Sequence, residues 1–328
     1  MTVRSSLIRC SATLLAGAVL LSGLASAQEY PARPVRLVNP NLAGGVSDRM
    51  ARTIGKAMEA SLGQSIVVEN KPGAASVLGV SEVLRSKPDG YFVGQTCLGP
   101  VVILPLTGEK LPFNFQEDAI IVGMMGGLDT LIATRADNPV STIEGVIADA
   151  KANPGKVSIG MAQSPANSIP LAYMASRAGV ELTLVSYRGE VQALADLLGG
   201  TLQYAIQSTG LAIPQLQAGK IKAIQVLATK RNPALPNVPS QADTKVPGFP
   251  PDSYCVMFVP KGTPNAIVQR LNRSLNEAAK DKELLAIWSR EGLVPYIGGT
   301  QAESMDFLKE VSNRWVSVAK EIDFSKHR

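Results

Sequence analysis

The sequence predicts an α/β protein whose mostly parallel sheets are covered by helices. Three observations carry this reading. Short apolar runs rich in Val, Ile and Leu alternate with stretches whose apolar residues recur at helical spacing. Clusters of Gly, Pro and Asn mark the changeovers. The alternation continues along nearly the whole chain, as βαβ units require. The length of 328 residues suggests about two domains at roughly 150 residues each.

The first unit runs from 35 to 58. Val35, Leu37 and Val38 supply an apolar strand. Gly44 and Gly45 read as a turn through backbone angles that a Cβ resists. Ser47 or Asp48 is placed to cap the following helix through a side-chain oxygen. Met50, Ile54, Ala57 and Met58 then recur at helical spacing. The N–H groups and dipole of such a helix start can seat a carboxylate or phosphate. An ordinary strand-to-helix turn uses the same residues, so this stretch alone leaves both readings open.

Further elements follow in order. Ile66-Val67-Val68 reads as a strand, 70–73 as a turn and 76–85 as a helix. Tyr91-Phe92-Val93 opens another strand, and strand-like runs at 119–122 and 130–134 flank Met124-Met125-Gly126-Gly127. Ser141 to Glu144 fits a capping box that opens a helix ending at Ala152. Val157-Ser158-Ile159 is a strand, followed by a polar loop and a helix over 168–178. The run 182–185 is a strand entering Tyr187-Arg188-Gly189, and 190–198 is a helix closed by Gly199-Gly200. Strands are expected at 202–206 and 221–227. A proline-rich link spans 232–251, and another apolar run covers 254–259. Two or three helices finish the chain, one of them over 264–280 with proline in its first turn. Trp288 and Trp315 fall on these helices and read as core.

Residues 1–27 read as an export signal. Arg4 and Arg9 form a basic start, and an apolar stretch over 12–24 is shorter than the roughly 20 residues a membrane span needs. Ala25-Ser26-Ala27 is a small-x-small cleavage pattern, so cleavage is expected after Ala27, with Gln28 first in the mature chain. Cys10 precedes the apolar stretch, which argues against a lipid anchor. The expected location is the periplasm.

Composition then removes several classes of function. The net charge of +5 includes two charges in the signal, and no basic run occurs, which argues against nucleic acid. The only histidine is His327, which removes Ser-His-Asp, Cys-His and histidine-rich metal sites. No cofactor and no metal are expected. Cys97 and Cys255 remain after the signal, either as two small buried residues or as one bridge.

Ligands of open α/β sheets bind outside the carboxyl ends of the strands. The loops at those ends are 41–48, 72–76, 96–99, 163–168, 187–190 and 207–210. They are rich in Gly, Ser, Asn and Gln and lack paired carboxylates for acid–base work. They suit a ligand held by hydrogen bonds and released unchanged.

A set of short motifs, in order along the mature chain, resembles one family. These include Tyr30-Pro31-Ala32-Arg33-Pro34, Pro40 with Gly44-Gly45 and Asp48, Glu69-Asn70-Lys71-Pro72-Gly73-Ala74, and Pro88-Asp89-Gly90-Tyr91. Ala152-Asn153-Pro154-Gly155-Lys156, Tyr187-Arg188-Gly189, Asp196-Leu197-Leu198-Gly199-Gly200 and Ala218-Gly219-Lys220 continue the set. Pro247-Gly248-Phe249 and Pro260-Lys261-Gly262-Thr263-Pro264 complete it. Together they resemble the exported solute-binding proteins of the tripartite tricarboxylate transporters, the Bug family. The resemblance implies a type II periplasmic binding protein fold with a ligand cleft between two lobes. The lobes would be 28–128 plus 251–328, and 129–250. It implies a small organic acid as ligand and membrane transporter subunits as partners, with a monomer expected.

By the same resemblance the ligand is held by Asn41, Ala43, Gly44, Gly45, Ser47, Asp48, Ala74, Ser76 and Cys97 of the first lobe. Gln163, Ser164, Asn167, Ser168, Tyr187 and Gln207 contribute from the second. The chain departs from the family where Asn41 replaces an aromatic residue, Ala43 a proline, and Pro170 a histidine. Asp48 reads either as helix cap or as ligand contact, and Tyr187 either as a packed aromatic with its hydroxyl on backbone or as cleft lining. Arg188 reads either as an ion-pair partner or as a ligand contact. Two other functions stay open: a sensor component presenting ligand to a membrane receptor, and an exported histidine-free enzyme. Leu42, Ala43, Cys97, Leu98, Met161, Pro165, Ala166 and Pro170 make these loops and their flanks partly apolar. A ligand less polar than citrate, with one carboxylate or an aromatic ring, is therefore expected.

Overall fold

The computed structural model describes residues 30–246 and 254–322. The export signal, Gln28, Pro247-Gly248-Phe249, the expected lobe boundary at 250/251 and His327 lie outside the described residues.

Two sheets organise the chain. The first holds β1 (Val35–Asn39), β2 (Ile66–Asn70), β3 (Phe92–Cys97), β4 (Ala119–Leu128), β10 (Tyr254–Pro260) and β11 (Leu293–Gly298), in the order β11-β4-β10-β3-β1-β2. The second holds β5 (Thr130–Arg135), β6 (Ser158–Ala162), β7 (Thr183–Tyr187), β8 (Tyr204–Ser208) and β9 (Ile221–Val226), in the order β7-β6-β8-β5-β9. Helices α1 (Val46–Leu62) and α2 (Val77–Leu84) cover the first sheet, with α7 (Asn265–Ala278), α8 (Lys282–Glu291) and α9 (Gln301–Ala319). Helices α3 (Ile143–Ala152), α4 (Pro165–Ala178), α5 (Glu190–Leu198) and α6 (Thr209–Gln217) belong to the second.

The sheets are mixed, which corrects the expected parallel majority. β1 runs parallel to β2 and β3, and β6 runs parallel to β7 and β8. The pairs β3·β10, β10·β4, β4·β11, β8·β5 and β5·β9 are antiparallel. The reason is topological. β4 leads directly into β5, so β5 starts at the edge where β6 and β8 end and runs against them, while in the first sheet β10 and β11 run against β3 and β4.

This crossing places the facing edges. β4 ends at Leu128 and β5 begins at Thr130, so these ends mark where the sheets approach. Antiparallel pairing sets Tyr254 beside Gly127 and Cys97 beside Cys255. β1 and β2 run with β3, so Asn39, Asn70 and Cys97 finish on one edge. Ser208 lies opposite Thr130, and β6 and β7 run with β8, so Ala162 and Tyr187 finish on the other.

Local chemistry explains several departures from the expected elements. Met124 to Gly127 lie inside β4, not between two strands. Gly126 has φ +118°, and a Cβ there would strike the Trp288 indole, so the glycine makes room for core packing. Trp288 and Trp315 are both fully buried, as expected. Helix α4 begins at Pro165, earlier than expected, with proline in the first turn and Ser164 as its N-cap. Helix α3 is capped by Thr142, whose Oγ1 accepts from the Gly145 N–H, and not by Ser141. Helix α7 begins at Asn265, after Pro264. Strand β11, helix α6 and the π-helical turn Gly99–Ile103 were not expected.

The cores divide accordingly. Val38, Val83, Val102, Phe258 and Trp315 pack on the first sheet. Ile132, Ile159, Met161 and Tyr204 pack on one face of the second, and Leu131, Leu197 and Ala205 on its other face. Of the two readings of the cysteines, the bridge holds: Cys97 and Cys255 are disulfide-bonded. Among the described residues no helix is long and apolar enough to cross a membrane.

Candidate functional site

The site is built where the two strand edges face each other. On the first edge the loop from β1 turns at Gly44, whose φ is +80°, and enters α1 through Gly45. Gly45 is extended, with φ −74°, so only the first of the two glycines needs its freedom. Gly45 is also the N-cap, and no side chain caps the helix. This corrects the expectation that Ser47 or Asp48 would do so. By helix geometry the first-turn N–H groups, those of Val46 and Ser47 among them, lack partners four residues back.

Ser47 and Asp48 instead tie the loop together from below. Ser47 is buried; its Oγ donates to Asn39 Oδ1 at 2.8 Å and accepts from Gln95 Nε2 at 2.7 Å and Asn41 Nδ2 at 3.1 Å. Asp48 is 3% exposed. Its Oδ2 accepts the Gly44 N–H at 2.9 Å and Arg52 Nε at 3.1 Å, and its Oδ1 accepts Asn70 Nδ2 at 2.9 Å. Burial pushes the Asp48 carboxyl up, but the bonds from Arg52, Gly44 and Asn70 outweigh it and hold the group below its ordinary value. All these oxygens are engaged, so Asp48 organises the loop. Arg49 adds a further tie, donating to the Gly44 carbonyl at 2.9 Å and pairing with Glu291 at 3.0 Å.

The loop after β2 meets this network. Ser76 Oγ donates to Asn41 Oδ1 at 3.2 Å. Ala74, Ala75 and Ser76 have φ of 45°, 51° and 77°. Three consecutive non-glycine residues in the left-handed region store strain of about 1–3 kcal/mol each. Asn41, Ala43, Gly44, Gly45, Ser47, Asp48, Ala74 and Ser76 are thus gathered into one loop cluster. Cys97 ends β3 on the same edge, with its sulfur committed to Cys255.

The second edge is more self-contained. Ser164 Oγ accepts from the Ala166 N–H at 3.2 Å, and Asn167 Nδ2 donates to the Ala162 carbonyl at 3.0 Å. Ser168 is buried in the first turn of α4, while Gln163 is exposed and donates its N–H to the Tyr187 carbonyl at 2.8 Å. The Tyr187 hydroxyl donates to Asp196 Oδ2 at 2.6 Å, so it rests on a carboxylate and not on backbone. That bond, with burial, pushes the hydroxyl up to about 12. Gln207 is fully buried and donates through Nε2 to the Glu190 carbonyl at 3.3 Å. Arg188 is exposed and makes no ion pair with a described residue. Leu98 and Met161 are buried in the cores, and Pro170 is buried inside α4. Leu42 is 72% exposed on the rim.

Two contacts join the sheets beside the crossing strands. Thr209 Oγ1, at the start of α6, donates to the Gly292 carbonyl at 2.8 Å, and Asn232 Nδ2 donates to the same oxygen at 2.9 Å. Ile169 of α4 is buried in the core of the first sheet, against the π-helical turn. Surface hollows of 370 Å³ (Arg52, Lys56, Leu284) and 530 Å³ (Arg135, Asp149, Gln203) lie on the flanks. Neither hollow lies at the strand ends and helix starts that make up the candidate site. Among the described residues no cluster of His, Cys, Asp and Glu could hold a metal. Sequence reasoning named none of Asn39, Gln95, Arg49 and Glu190 as site residues; the available signals were the position of Asn39 at the end of β1 and of Glu190 in the loop 187–190.

Comparison with known proteins agrees with this geometry. Residues 50–324 match the family described as tripartite tricarboxylate transporter family receptor. Protein BugT of Bordetella pertussis is 29% identical over 298 residues, covering 90% of this chain and 91% of BugT. The UPF0065 protein in the tcbD-tcbE intergenic region of Pseudomonas sp. strain P51 is 32% identical over 295 residues, covering 89% of this chain and 87% of that protein. Among solved structures, an R. palustris protein with adipate superposes with a TM-score of 0.79 at 27% identity, covering 89% of this chain and 98% of its own. MatC from Rhodopseudomonas palustris with bound malate gives 0.76 at 26% identity, covering 88% and 100%. The fold is that of the two-lobed periplasmic binding proteins, and the chain belongs to the tripartite tricarboxylate transporter receptor family.

Proposed function

We propose that this protein captures one small organic carboxylate between its two sheets and delivers it to a membrane transporter. The observation that carries the proposal is the loop cluster at the start of α1. There Asp48, Arg49 and Asn41 fix the glycine turn that leads into a helix whose first-turn N–H groups have no side-chain cap. Such groups attract a carboxylate without acid–base machinery, and that suits binding over turnover. The adipate and malate held by two structural relatives support a carboxylate as the ligand class. In this reading Gly44, Gly45 and Ser47 approach the ligand from one lobe, and Gln163 and Ser164 approach it from the other. Export to the periplasm and service as a monomer belong to the same proposal.

Calorimetry with mono-, di- and tricarboxylates, amino acids and sugars tests it. One equivalent of an acid bound and recovered unchanged is the expected result. Binding of sugars or cations but of no acid would overturn it.

A further inference from the structure

Glu190 already fills the anion seat of the second edge. It is the first residue of α5, and its carboxylate reaches across to the start of α6. Oε2 accepts the Ser208 N–H at 2.7 Å, and Oε1 accepts the Ser208 hydroxyl at 2.8 Å. Ser208 is the N-cap of α6 and lies opposite Thr130, on the edge that faces the first sheet. One side chain therefore meets the positive ends of two helices at once. Where a helix start elsewhere would receive a ligand carboxylate, here the chain supplies its own.

Two helix starts and Ser208 hold this charge, but no described cation pairs with it directly. No ion pair between Glu190 and a described Lys or Arg is formed. On the first edge, by contrast, the internal carboxylate Asp48 is matched by Arg52 at 3.0 Å. The neighbouring amide adds to the asymmetry. Gln207 gives its nitrogen to the Glu190 carbonyl, so Oε1 is the end left over. That oxygen is buried and has no hydrogen-bond partner among the described residues. The second edge thus offers acceptors, and a second ligand carboxylate brought there would meet like charge in a partly desolvated place.

We infer that Glu190 is a specificity-determining residue that rejects a distal carboxylate and favours ligands with one carboxylate and a distal hydrogen-bond donor. This rests on the proposed uptake of a carboxylate in the cleft, and it narrows the class to hydroxy, amino or amide derivatives of monocarboxylic acids. The exposed Arg188 is the nearest cation in sequence, and it does not balance Glu190 through a direct contact.

Matched ligand pairs test the inference: ω-hydroxyhexanoate against adipate, and para-hydroxybenzoate against terephthalate, titrated into the wild type, Glu190→Gln and Glu190→Asp. The Gln side chain can still accept the Ser208 N–H and donate to its hydroxyl, so the fold is retained; thermal melting checks this. Wild type should bind the hydroxy acid about tenfold or more tightly than its diacid partner. Glu190→Gln should shrink that ratio by about tenfold, while Glu190→Asp, which keeps the charge, should preserve most of it. A diacid bound as tightly as its hydroxy partner by the wild type overturns the inference. A ratio that moves by less than about threefold in folded Glu190→Gln also does so. Failure of the wild type to bind any carboxylate is a different result. It overturns the proposed function itself, and the inference falls with it.

Discussion

Asp48 holds Gly44 by its N–H, with Oδ2 to nitrogen at 2.9 Å, while Arg49 holds the carbonyl of the same glycine, also at 2.9 Å. Both peptide groups of a left-handed glycine are thus fixed by the helix that the glycine introduces. The loop cannot swing without breaking a bond to a nearly buried carboxylate, so the helix start is presented in one orientation. A preorganised loop loses less entropy when a ligand arrives.

Replacing Asp48 by Ala should therefore cost both stability and affinity. The Gly44 N–H and Asn70 Nδ2 would lose their acceptor, for a loss of about 1–3 kcal/mol. The folded-state pKa of Asp48 is lowered, so its contribution is complete above the ordinary carboxylate range and disappears as pH falls through the lower folded value. Chemical denaturation of both proteins at neutral and acid pH checks this. The gap between wild type and Asp48→Ala should narrow in acid; a gap independent of pH would remove the electrostatic account.

The two glycines should respond differently to substitution. Gly44→Val forces a β-branched residue to φ +80° and should destabilise the protein by about 1–2 kcal/mol or more. Gly45 is extended, and a Cβ there would meet only the Leu42 carbonyl oxygen at 3.6 Å. Gly45→Val should fold normally yet weaken carboxylate binding, because its side chain stands over the helix start. Unchanged affinity in folded Gly45→Val would show that the seat lies elsewhere.

The bridge between Cys97 and Cys255 joins residues 158 apart in sequence. It fixes β10, the strand that returns to the first sheet, to the end of β3. Reduction, or the paired Cys→Ala substitutions, should lower stability by about 2–4 kcal/mol. Melting with and without reductant measures this. The double variant itself should be insensitive to reductant.

The helix and strand residues at the site were largely legible, whereas their partners were not. Glu190 to Leu198 obeyed helical spacing and ended at a glycine pair, and the structure has the same helix. Val35 to Val38 read as a strand because one element buries all its apolar residues. Strand β11 escaped notice because Pro295, Gly298 and Gly299 interrupt any alternation, and pairing with β4 overrides the local preference. Gly126 fell between two strand-like runs because only tertiary packing on Trp288 gives it a place in a strand. At the site, spacing placed Asp48 near the helix start. Whether its carboxylate would cap that helix or reach back to Gly44 depended on the path of a loop that no periodicity fixes.

Tyr187 and Asp196 give a signature at high pH. The hydrogen bond to Asp196 and burial raise the hydroxyl to about 12, so the protonated form is favoured in the folded state. The resulting stability is present below about pH 10, where an unfolded tyrosine titrates. It is lost as pH rises through about 12. Burial also raises Tyr173 and Tyr204, so the Tyr187 step in the phenolate absorbance is the late component that disappears in Tyr187→Phe and shifts to lower pH in Asp196→Asn. A late step unaffected by either change would assign it to another tyrosine.

Ile169 should couple the two sheets. It belongs to α4, yet it is fully buried in the core of the first sheet, where α4 packs on the π-helical turn Gly99–Ile103. Arg177 and Glu321 add a weak exposed ion pair at 3.7 Å across the same junction. Ile169→Ala should cost about 2–5 kcal/mol, and Ile169→Val about 0.5–1.5 kcal/mol, because the apolar contact and not the surface pair holds this junction. The larger truncation should also widen the distribution of distances between the sheets. Scattering, or paired spin labels placed one on each side, can detect that. Ile169→Ala with wild-type stability and an unchanged distance distribution would show that α4 moves independently of the first sheet.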